Sequence, residues 1–410
     1  MSTTLPPGTR TPGDGRREAN AASVLRAVLD HGPVARSGIA RLSGLSRAAV
    51  SRQCTDLARL GLVREIPELV AAGGVGRPQI PVDLATAAAG GPLVAGVHIG
   101  VPRSTFCLAD LRGKVLARQD LEYYGVPAAQ LVDHVGRSLR VFVSGRAPAG
   151  SRLLGIGAAI GGWVDPETGT VVRHDALGLY QHPLAAELRR LTGLPVRIDN
   201  HARAVAQSEL LFGRPAARRS LVHLFVGNVV DAAVAIAGVV HRGPASGAGD
   251  VAHLPVPDST AVCPCGRTGC LEATVSDTVL GQRAVELGIV PRPRIPLLID
   301  AAAAGDRRAD ALLRERARAV GRATGLLLDV LNPELAVITE QSSMLREHYL
   351  ADLREAAVGH SHVCDDPERI VVPHAGPSAL PVAAATVVLN PLFRSPLQAF
   401  GNTAAMLPSA

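Results

Sequence analysis

A short cysteine-rich segment constrains the fold of this chain more than any other part of its sequence. Between residues 247 and 272 lie one histidine and three cysteines, namely His253, Cys263, Cys265 and Cys270. Thiolates and imidazole are preferred zinc ligands, and four of them complete a tetrahedron without a position for a catalytic water. Gly266 and Gly269 would let the backbone fold closely around the ion. The segment predicts a structural zinc site; the alternatives are reduced cysteines in a turn or a disulfide.

Length and composition predict a globular protein of two or three domains. The chain has 410 residues, and 47% of them are hydrophobic, which is enough to bury more than one core. No apolar run reaches about twenty residues, and residues 1–17 lack the apolar centre of a secretory signal. The other cysteines, Cys54, Cys107 and Cys364, stand singly, as thiols do in a reducing compartment. We therefore expect a cytoplasmic protein that does not insert into a membrane.

Positive charge is concentrated at the start of the chain. The formal net charge is +6, and residues 1–80 contain eleven Arg, no Lys and six Asp or Glu, a local excess of +5. This asymmetry predicts a polyanion-binding module joined to a nearly neutral body. Residues 1–17 are rich in Thr, Pro and Gly and are expected to form a flexible arm.

Residues 18–84 have the pattern of a winged helix-turn-helix domain. Apolar residues at helical spacing predict three helices, which would begin at the N-caps Asn20, Ser37 and Ser46. Glycines end or separate these helices, at Gly32, Gly44 and Gly61. Segments 62–66 and 79–83 read as two strands of a wing, with its tip near residues 73–78.

The third predicted helix has one apolar and one polar face. Val50, Cys54 and Leu57 have core spacing, which leaves an outer face of Arg47, Ala48, Ser51, Arg52 and Thr55. Such side chains near the start of a helix can enter a DNA major groove, and Arg77 in the wing is a candidate for the minor groove. The alternative is a small helical bundle with a solvated Arg face.

Residues 85–92, mostly Ala, Gly and Thr, predict a linker to a second domain, 93–410.

Strands and helices alternate after residue 92, as in an α/β domain. Strands are predicted at 93–100, 104–111, 113–121, 153–159 and 335–339. Helical spacing occurs at 128–143, 295–303, 307–317 and 320–331. A last helix, at 379–392, is rich in Ala and Val and can return to the first part of the domain.

These features occur in an order that resembles the ROK family (repressor, open reading frame, kinase). The winged helix is followed by the turn 162–169, by Ile198-Asp199-Asn200, by the cysteine cluster and by residues 331–335. The motif Cys-x-Cys-Gly-x-x-Gly-Cys-Leu-Glu is the most specific of them, and the chain looks like the family's sugar-responsive transcriptional regulators from about residue 20 onward. The resemblance implies a two-lobed, actin-like (ribonuclease H-like) α/β body. A homodimer or dimer of dimers on a palindromic operator is expected, because one helix-turn-helix reads few base pairs of double-stranded DNA.

The resemblance also implies an effector site for a sugar. It places sugar contacts at Asn200, Asp250, His253 and Glu272, and it places His201 where the family's kinases carry the catalytic base. Carboxylates and amides suit the adjacent hydroxyls of a sugar. Asp250 stands where Glu is usual, and His201 replaces a negative charge. These departures predict a sugar derivative with a phosphate or another acid near His201, or a pocket that has lost its ligand; alternatively, both residues merely line the pocket.

Three segments depart from the nucleotide-binding loops that the resemblance implies. Residues 98–102 (His-Ile-Gly-Val-Pro) replace Asp-x-Gly-Gly-Thr, residues 227–232 retain one glycine and add Asp231, and Thr339-Glu340 replaces Gly-Gly. Phosphoryl transfer depends on positioning and on charge neutralisation. We therefore expect no catalytic residue and no kinase activity. Two alternatives are an active sugar kinase with an appended DNA-binding domain, and a ligand-independent DNA-binding protein whose body only dimerises.

Overall fold

The structure is a computed structural model that describes residues 12–69, 79–123, 126–256 and 259–399. Its N-terminal part is a helix-turn-helix with a small sheet. Its elements are α1 (Pro12–His31), β1 (Val34–Ala35), α2 (Arg36–Ser43), α3 (Arg47–Arg59), β2 (Val63–Glu65) and β3 (Pro81–Leu84). The strands form an antiparallel sheet in the order β1-β3-β2. Arg77 and the predicted wing tip at 73–78 lie outside the described residues.

The predicted helix starts are correct for one helix and wrong for two. The Ser46 hydroxyl caps α3 by accepting from the Ala49 N–H at 3.2 Å. In contrast, α2 begins at Arg36, and the Ser37 hydroxyl donates to the Gln79 side chain instead of capping the helix. Gly44, in the left-handed conformation at φ 69°, closes the turn between α2 and α3 as expected.

Helix α1 begins earlier than predicted, at Pro12 rather than after Asn20. Residues 12–17, which were expected to belong to a flexible arm, are therefore helical. Contacts with distant parts of the chain hold this first stretch. The Arg17 guanidinium lies 2.8 Å from the Asp56 carboxylate, and Glu18 accepts from the Leu397 N–H at 2.8 Å. Neither partner is detectable from local spacing.

The rest of the chain folds into two lobes. The first contains β4 (Leu93–Ile99), β5 (Arg103–Ala109), β6 (Val115–Glu122), α4 (Leu131–Arg146), β7 (Leu153–Ile160), β8 (Trp163–Asp165), β9 (Thr170–His174), β10 (Leu179–His182), α5 (Leu184–Thr192), β11 (Val196–Asn200) and α6 (His201–Phe212). The second contains β12 (Ser220–Val226), β13 (Val230–Ile236), β14 (Val239–Val240), α7 (Leu271–Val275), α8 (Asp277–Glu286), α9 (Ile295–Ala303), α10 (Arg307–Leu331), β15 (Leu335–Glu340), α11 (Gln341–Leu345), α12 (Glu347–Val358) and β16 (Ile370–Val371). Helix α13 (Ala379–Arg394) follows.

Both lobes are built on a five-stranded sheet of the same topology. The orders are β11-β7-β4-β5-β6 and β14-β13-β12-β15-β16. In each sheet three antiparallel strands are followed by two strands parallel to the first of them. This repetition is the actin-like architecture that the resemblance implied.

Helix α10 differs from the prediction because it is continuous over 25 residues. The spacing had suggested one helix to 317 and another from 320. Arg318 and Ala319, which lie between them, are good helix formers, and no Gly or Pro interrupts the backbone there. Buried residues continue along one face of the helix through this point, for example Leu313, Val320 and Leu327.

The helix-turn-helix domain packs firmly on the first lobe. Buried residues of both parts form one apolar cluster, which includes Val28 and Leu57 from one side and Val94 and Leu389 from the other. The segment 85–92, predicted as a linker, contains a short 3-10 turn, and its Ala85 N–H donates to Leu62 O at 2.9 Å. Polar contacts add to this interface, since Arg218 pairs with Asp30 at 2.8 Å.

Helix α13 returns to the first lobe, as predicted, and packs against β4, β7 and α6. The stretch 376–394 is long and apolar enough to span a membrane by length and composition, but 61% of it is buried inside the protein. Its packing identifies it as a core helix.

Candidate functional site

Helix α3 presents a polar face to solvent. Val50, Cys54 and Leu57 are at most 2% exposed, as predicted. The opposite face carries the five predicted DNA-contacting side chains, of which Arg47, Ala48, Arg52 and Thr55 are exposed and Ser51 is half-buried. Within the described residues, neither Arg47 nor Arg52 forms an ion pair, whereas Arg59 near the end of the helix lies 3.5 Å from Asp56. The face therefore retains two uncompensated positive charges.

The four predicted metal ligands converge. The ligand atoms of His253, Cys263, Cys265 and Cys270 all lie within 4.8 Å of one another. Cys265 Sγ is 3.7 Å from Cys270 Sγ, and Cys263 Sγ is 3.6 Å from His253 Nδ1. Tetrahedral zinc, with bonds of about 2.3 Å to sulfur and about 2.0 Å to nitrogen, requires separations of roughly 3.5–3.8 Å. The cysteines are free thiols. The cluster can hold a metal ion, and no disulfide joins its cysteines.

Local backbone geometry builds this cluster. Gly266 and Gly269 have φ values of 87° and 74°, in the left-handed region that favours glycine. Strand-like contacts then join the two halves of the segment, since the Glu272 N–H donates to Ala252 O at 2.9 Å. Glu272 Oε2 accepts from the Val230 N–H at 3.0 Å. These two hydrogen bonds hold the Glu272 carboxylate beside the start of β13.

Asn200 is buried between β11 and α6. Its Oδ1 caps α6 by accepting from the Ala202 N–H at 2.8 Å and from the Arg203 N–H at 3.2 Å. Its Nδ2 donates to Gly162 O at 2.8 Å and to Asp231 Oδ2 at 3.1 Å. The amide therefore has all its hydrogen-bonding capacity engaged inside the protein.

His201 forms the centre of a buried polar row. Its Nε2 lies 3.0 Å from Asp231 Oδ2, and its Nδ1 lies 3.4 Å from His98 Nε2. The Phe225 ring covers the imidazole, with ring centroids 3.8 Å apart. His201 is 3% exposed. Asp231, the carboxylate added in the second altered loop, is the partner of this histidine.

The pKa values of Asp231 and His98 are set by burial and by their neighbours in the row. Burial alone would raise the pKa of Asp231, but His201, the Gly162 N–H and Asn200 together lower it below its ordinary value. Burial, followed by the neighbouring His201, lowers the pKa of His98 well below the usual range. Asp231 is therefore an ionised carboxylate and His98 a neutral imidazole at neutral pH.

The other predicted effector residues lie at a more open part of the site. Asp250 is exposed, and His253 and Glu272 are half-buried. Burial raises the pKa of Glu272, and Asp231 and Asp250 raise it further through charge repulsion. Asp231, which belongs to the row that contains His201 and Asn200, therefore also interacts electrostatically with Glu272.

Both lobes line one large cavity, with a volume of about 370 Å³. The three segments that replace the nucleotide loops converge on it, at residues 98–102, 226–229 and 339. Of the five predicted effector residues, His201 alone lines this cavity. Glu340 lies outside it, because its carboxylate caps α11 and lies 3.4 Å from Arg316.

Comparison with known families agrees with this architecture. The family model described as ROK family matches residues 94–386, and the one described as MarR family matches residues 18–71. The first match covers more than half of the chain. The chain belongs to the ROK family. Its body is a ROK domain, and its N-terminal domain is a winged helix of the MarR type.

Two relatives show what kind of protein this ROK chain resembles. A transcriptional regulator of Mycobacterium tuberculosis is 35% identical over 95% of this chain and 89% of the relative. The xylose repressor of Caldicellulosiruptor bescii is 29% identical over 83% of this chain and 87% of the relative.

Solved structures share the fold of the ROK chain. A ROK family transcriptional regulator, described as a homolog of the E. coli Mlc protein, matches with a TM-score of 0.74 and 22% identity, over 94% of this chain and 98% of the other. The ROK family glucokinase from Streptomyces griseus, solved with glucose and AMPPNP, matches with a TM-score of 0.63 and 25% identity, over 72% and 98%.

Sequence reasoning missed several residues of the site. His98 and Asp231 were treated as separate losses from nucleotide loops, whereas both belong to the row around His201. A new histidine and a new carboxylate can pair with each other, and this chemical complementarity was the signal available in the sequence. On the three-stranded sheet β8-β9-β10, Trp163, Arg173 and Tyr180 are paired across the strands and are solvent-exposed. Paired residues share one face of a sheet.

Proposed function

We propose that this ROK chain is a DNA-binding transcriptional regulator of the repressor type that responds to a sugar or a sugar derivative. The observation that carries the proposal is the presence, on one chain, of a ROK domain and a winged helix whose α3 displays exposed arginines. The relatives' names, transcriptional regulator and xylose repressor, support it. The division into a DNA-binding domain (18–84), a connecting segment (85–92) and a ROK domain (93–410), acting in the cytoplasm, is part of this proposal.

In this proposal α3 lies in the major groove of DNA. Arg47 and Arg52 would contact guanines or phosphates, Ala48, Ser51 and Thr55 would approach base edges, and Arg77 would enter the minor groove. The test is to recover the genomic fragments that the purified protein selects at moderate salt. A few palindromic sites beside genes for sugar transport or catabolism would support the proposal. Fragments without a shared site would contradict it.

The palindrome follows from a proposed homodimer or dimer of dimers. Two copies related by a two-fold axis would read two half-sites about one helical turn apart. Light scattering of the free protein and of its operator complex measures this directly. A monomer bound to a single half-site would exclude the dimer.

For the effector, we propose contacts from Asp250, His253 and Glu272, with Asn200 and His201 holding the wall behind them. Asp250 and Glu272 offer acceptors to adjacent hydroxyls, and the exposed Trp163 ring lies on the flanking sheet β8-β9-β10. Because Asp231 pairs with His201, there is no longer a reason to expect an acidic group on the effector. Asp250→Asn and Glu272→Gln should abolish DNA release by an active sugar, with xylose and glucose tested first, while Asp300→Asn on the exposed side of α9 should not.

Release that persists unchanged in both effector variants would contradict these contacts, whereas no release by any sugar from the unaltered protein would favour the ligand-independent alternative. In that case the ROK domain would act only in dimerisation.

We further propose that the ROK domain has lost kinase activity. A general base must reach the hydroxyl proton that it removes, and both ring nitrogens of His201 already face protein partners beneath the Phe225 ring. Three of the side chains that replace phosphate-loop residues have protein partners. Asp231 faces His201, Thr339 Oγ1 lies 2.8 Å from His223 Nε2, and Glu340 lies 3.4 Å from Arg316. Sugar-dependent ATP consumption by the purified protein would contradict this and favour the kinase alternative.

Zinc at His253, Cys263, Cys265 and Cys270 would have a structural role. With four protein ligands the ion would have no open position for a substrate. Its contribution would be to hold His253 and Glu272 in place beside the effector.

A further inference from the structure

The cavity between the two lobes is separate from the proposed sugar contacts. Its wall is mainly apolar and includes Val101, Phe225, Ile295 and Leu380, which come from both lobes and from the start of α13. Its volume of about 370 Å³ is within the range of roughly 300–1,000 Å³ typical of small-molecule sites. Asp250, His253 and Glu272 do not line it. The cavity is therefore available to a second, more apolar ligand.

The charged groups of this cavity balance one another. Arg103 and Arg118 both face Asp120, at 3.9 and 3.4 Å, and Arg294 lies 3.0 Å from Glu122. The buried Arg316 lies between Asp277, at 2.6 Å, and Glu340, at 3.4 Å, so that four arginines face four carboxylates. A ligand with a net charge would have to break one of these pairs, so the wall favours a neutral molecule.

The His98 side chain in the wall has one ring nitrogen without a protein partner among the described residues. His98 is 7% exposed and lines the cavity, and its Nε2 is directed at His201. No residue in the described part of the chain gives its Nδ1 a hydrogen bond. Gly100 leaves room for this ring, because a Cβ at that position would lie 2.8 Å from His98 Cε1. A buried nitrogen without a partner costs free energy that a ligand can recover.

The polarity of this nitrogen follows from the row behind it. The hydrogen of the His201 ring is assigned to Nε2 because this nitrogen lies 3.0 Å from Asp231 Oδ2, and His201 Nδ1 then accepts from Nε2–H of His98. His98 Nδ1 is then a lone pair facing the cavity. It requires a hydrogen-bond donor from the ligand.

We propose that this cavity binds a neutral, mainly apolar small molecule through a hydroxyl group that donates to His98 Nδ1. The site replaces the phosphate-binding surface that these segments would form in a kinase. Its existence does not depend on the proposed DNA binding, because the cavity, its paired charges and His98 belong to the ROK domain alone.

A matched pair of probes tests the hydroxyl. Calorimetric titrations of the full-length protein at pH 8, without DNA, would compare 2-naphthol with 2-methoxynaphthalene, which differs by methylation of the donor. We expect 2-naphthol to bind at one site about tenfold more tightly. His98→Phe should remove this difference by weakening 2-naphthol about tenfold while 2-methoxynaphthalene is unchanged. Met344→Trp, at a half-buried position of the wall away from the histidine row, should abolish binding of both.

The design separates the possible failures. Equal affinity of the two probes in the unaltered protein, or binding that survives Met344→Trp in a variant with an unchanged melting temperature, would overturn the proposal. Competition of ATP with 2-naphthol would also overturn it, because the cavity would then have kept a nucleotide site. None of these results bears on fragment selection, which tests the DNA-binding function.

Discussion

At the scale of single residues, the His201–Asp231 pair is the feature that distinguishes this site. The two residues lie on α6 and β13, in different lobes, and each is a departure from the kinase pattern. Removing one member leaves the other buried without its partner. We expect Asp231→Asn to lower the free energy of unfolding by about 1–3 kcal/mol, as measured by urea denaturation.

A double-mutant cycle assigns that loss to the pair. In a His201→Gln background the same Asp231→Asn change should cost much less. Asp120→Asn is the control, since Asp120 pairs with Arg118 at 3.4 Å in a half-exposed position, where ion pairs contribute about 0–1 kcal/mol. Equal costs in both backgrounds would show that the pair is not coupled.

The buried histidines predict the pH dependence of stability. Burial lowers the pKa of His174 to about 4 and that of His223 to about 3. The unfolded chain binds protons near the ordinary value of about 6.5, so the free energy of unfolding should fall as pH decreases below it, by about 3 kcal/mol per histidine at pH 4. His223→Gln should reduce this slope between pH 6.5 and 4, while His31→Gln, at an exposed position, should not. A slope unaffected by His223→Gln would refute the assignment.

At the scale of elements, α3 is predicted to determine DNA affinity. Arg47→Ala and Arg52→Ala should each weaken operator binding by about 1–3 kcal/mol, or roughly 10- to 100-fold, in gel-shift titrations at fixed salt. Arg59→Ala is the matched control, because this arginine is on the same helix and is paired with Asp56. If all three variants bound equally well, α3 would be a solvated face instead of a recognition helix.

The cysteine segment makes an independent prediction. Cys270→Ser should lower the metal content from one zinc per chain and destabilise residues 251–272, because the site would lose a thiolate ligand. Elemental analysis and amide exchange measure the two effects. Cys364→Ser, at a buried cysteine outside the cluster, should keep the metal. A purified, unaltered protein without stoichiometric zinc would contradict the assignment.

Local elements were predictable, and contacts between elements were not. The core face of α3, the Ser46 cap and the left-handed glycines of the cysteine loop follow from spacing and backbone chemistry within a few residues. The start of α1 was missed because Glu18 is held by residues near the end of the chain. The His201 row was missed because its members come from three strands or helices. Its formation depends on how the two lobes close, which spacing does not encode.

At the scale of the whole molecule, α13 connects the cavity to the DNA-binding domain. Its first residues, Ala379 and Leu380, line the cavity, and its later residues Leu389 and Leu392 belong to the apolar cluster shared with the winged helix. Strand β4 makes a similar connection, because Val94 is in that cluster and His98 is in the cavity wall. Both α13 and β4 therefore connect the cavity wall directly to the interface with the DNA-binding domain. Coupling requires that ligands favour one of two arrangements of this interface.

The shared cluster predicts that the winged helix and the first lobe of the ROK domain form one cooperative unit, separate from the second lobe. Leu389→Ala should create a cavity in this cluster and cost about 2–5 kcal/mol, lost mainly from the interface between the domains. Hydrogen exchange should then accelerate in α1, which packs against α13, while the second lobe stays protected. Leu353→Ala is the matched control, because this leucine is equally buried but belongs to the core of the second lobe. It should accelerate exchange in α10 and α12 and leave α1 unchanged; the same exchange pattern in both variants would mean that the interface has no separate stability.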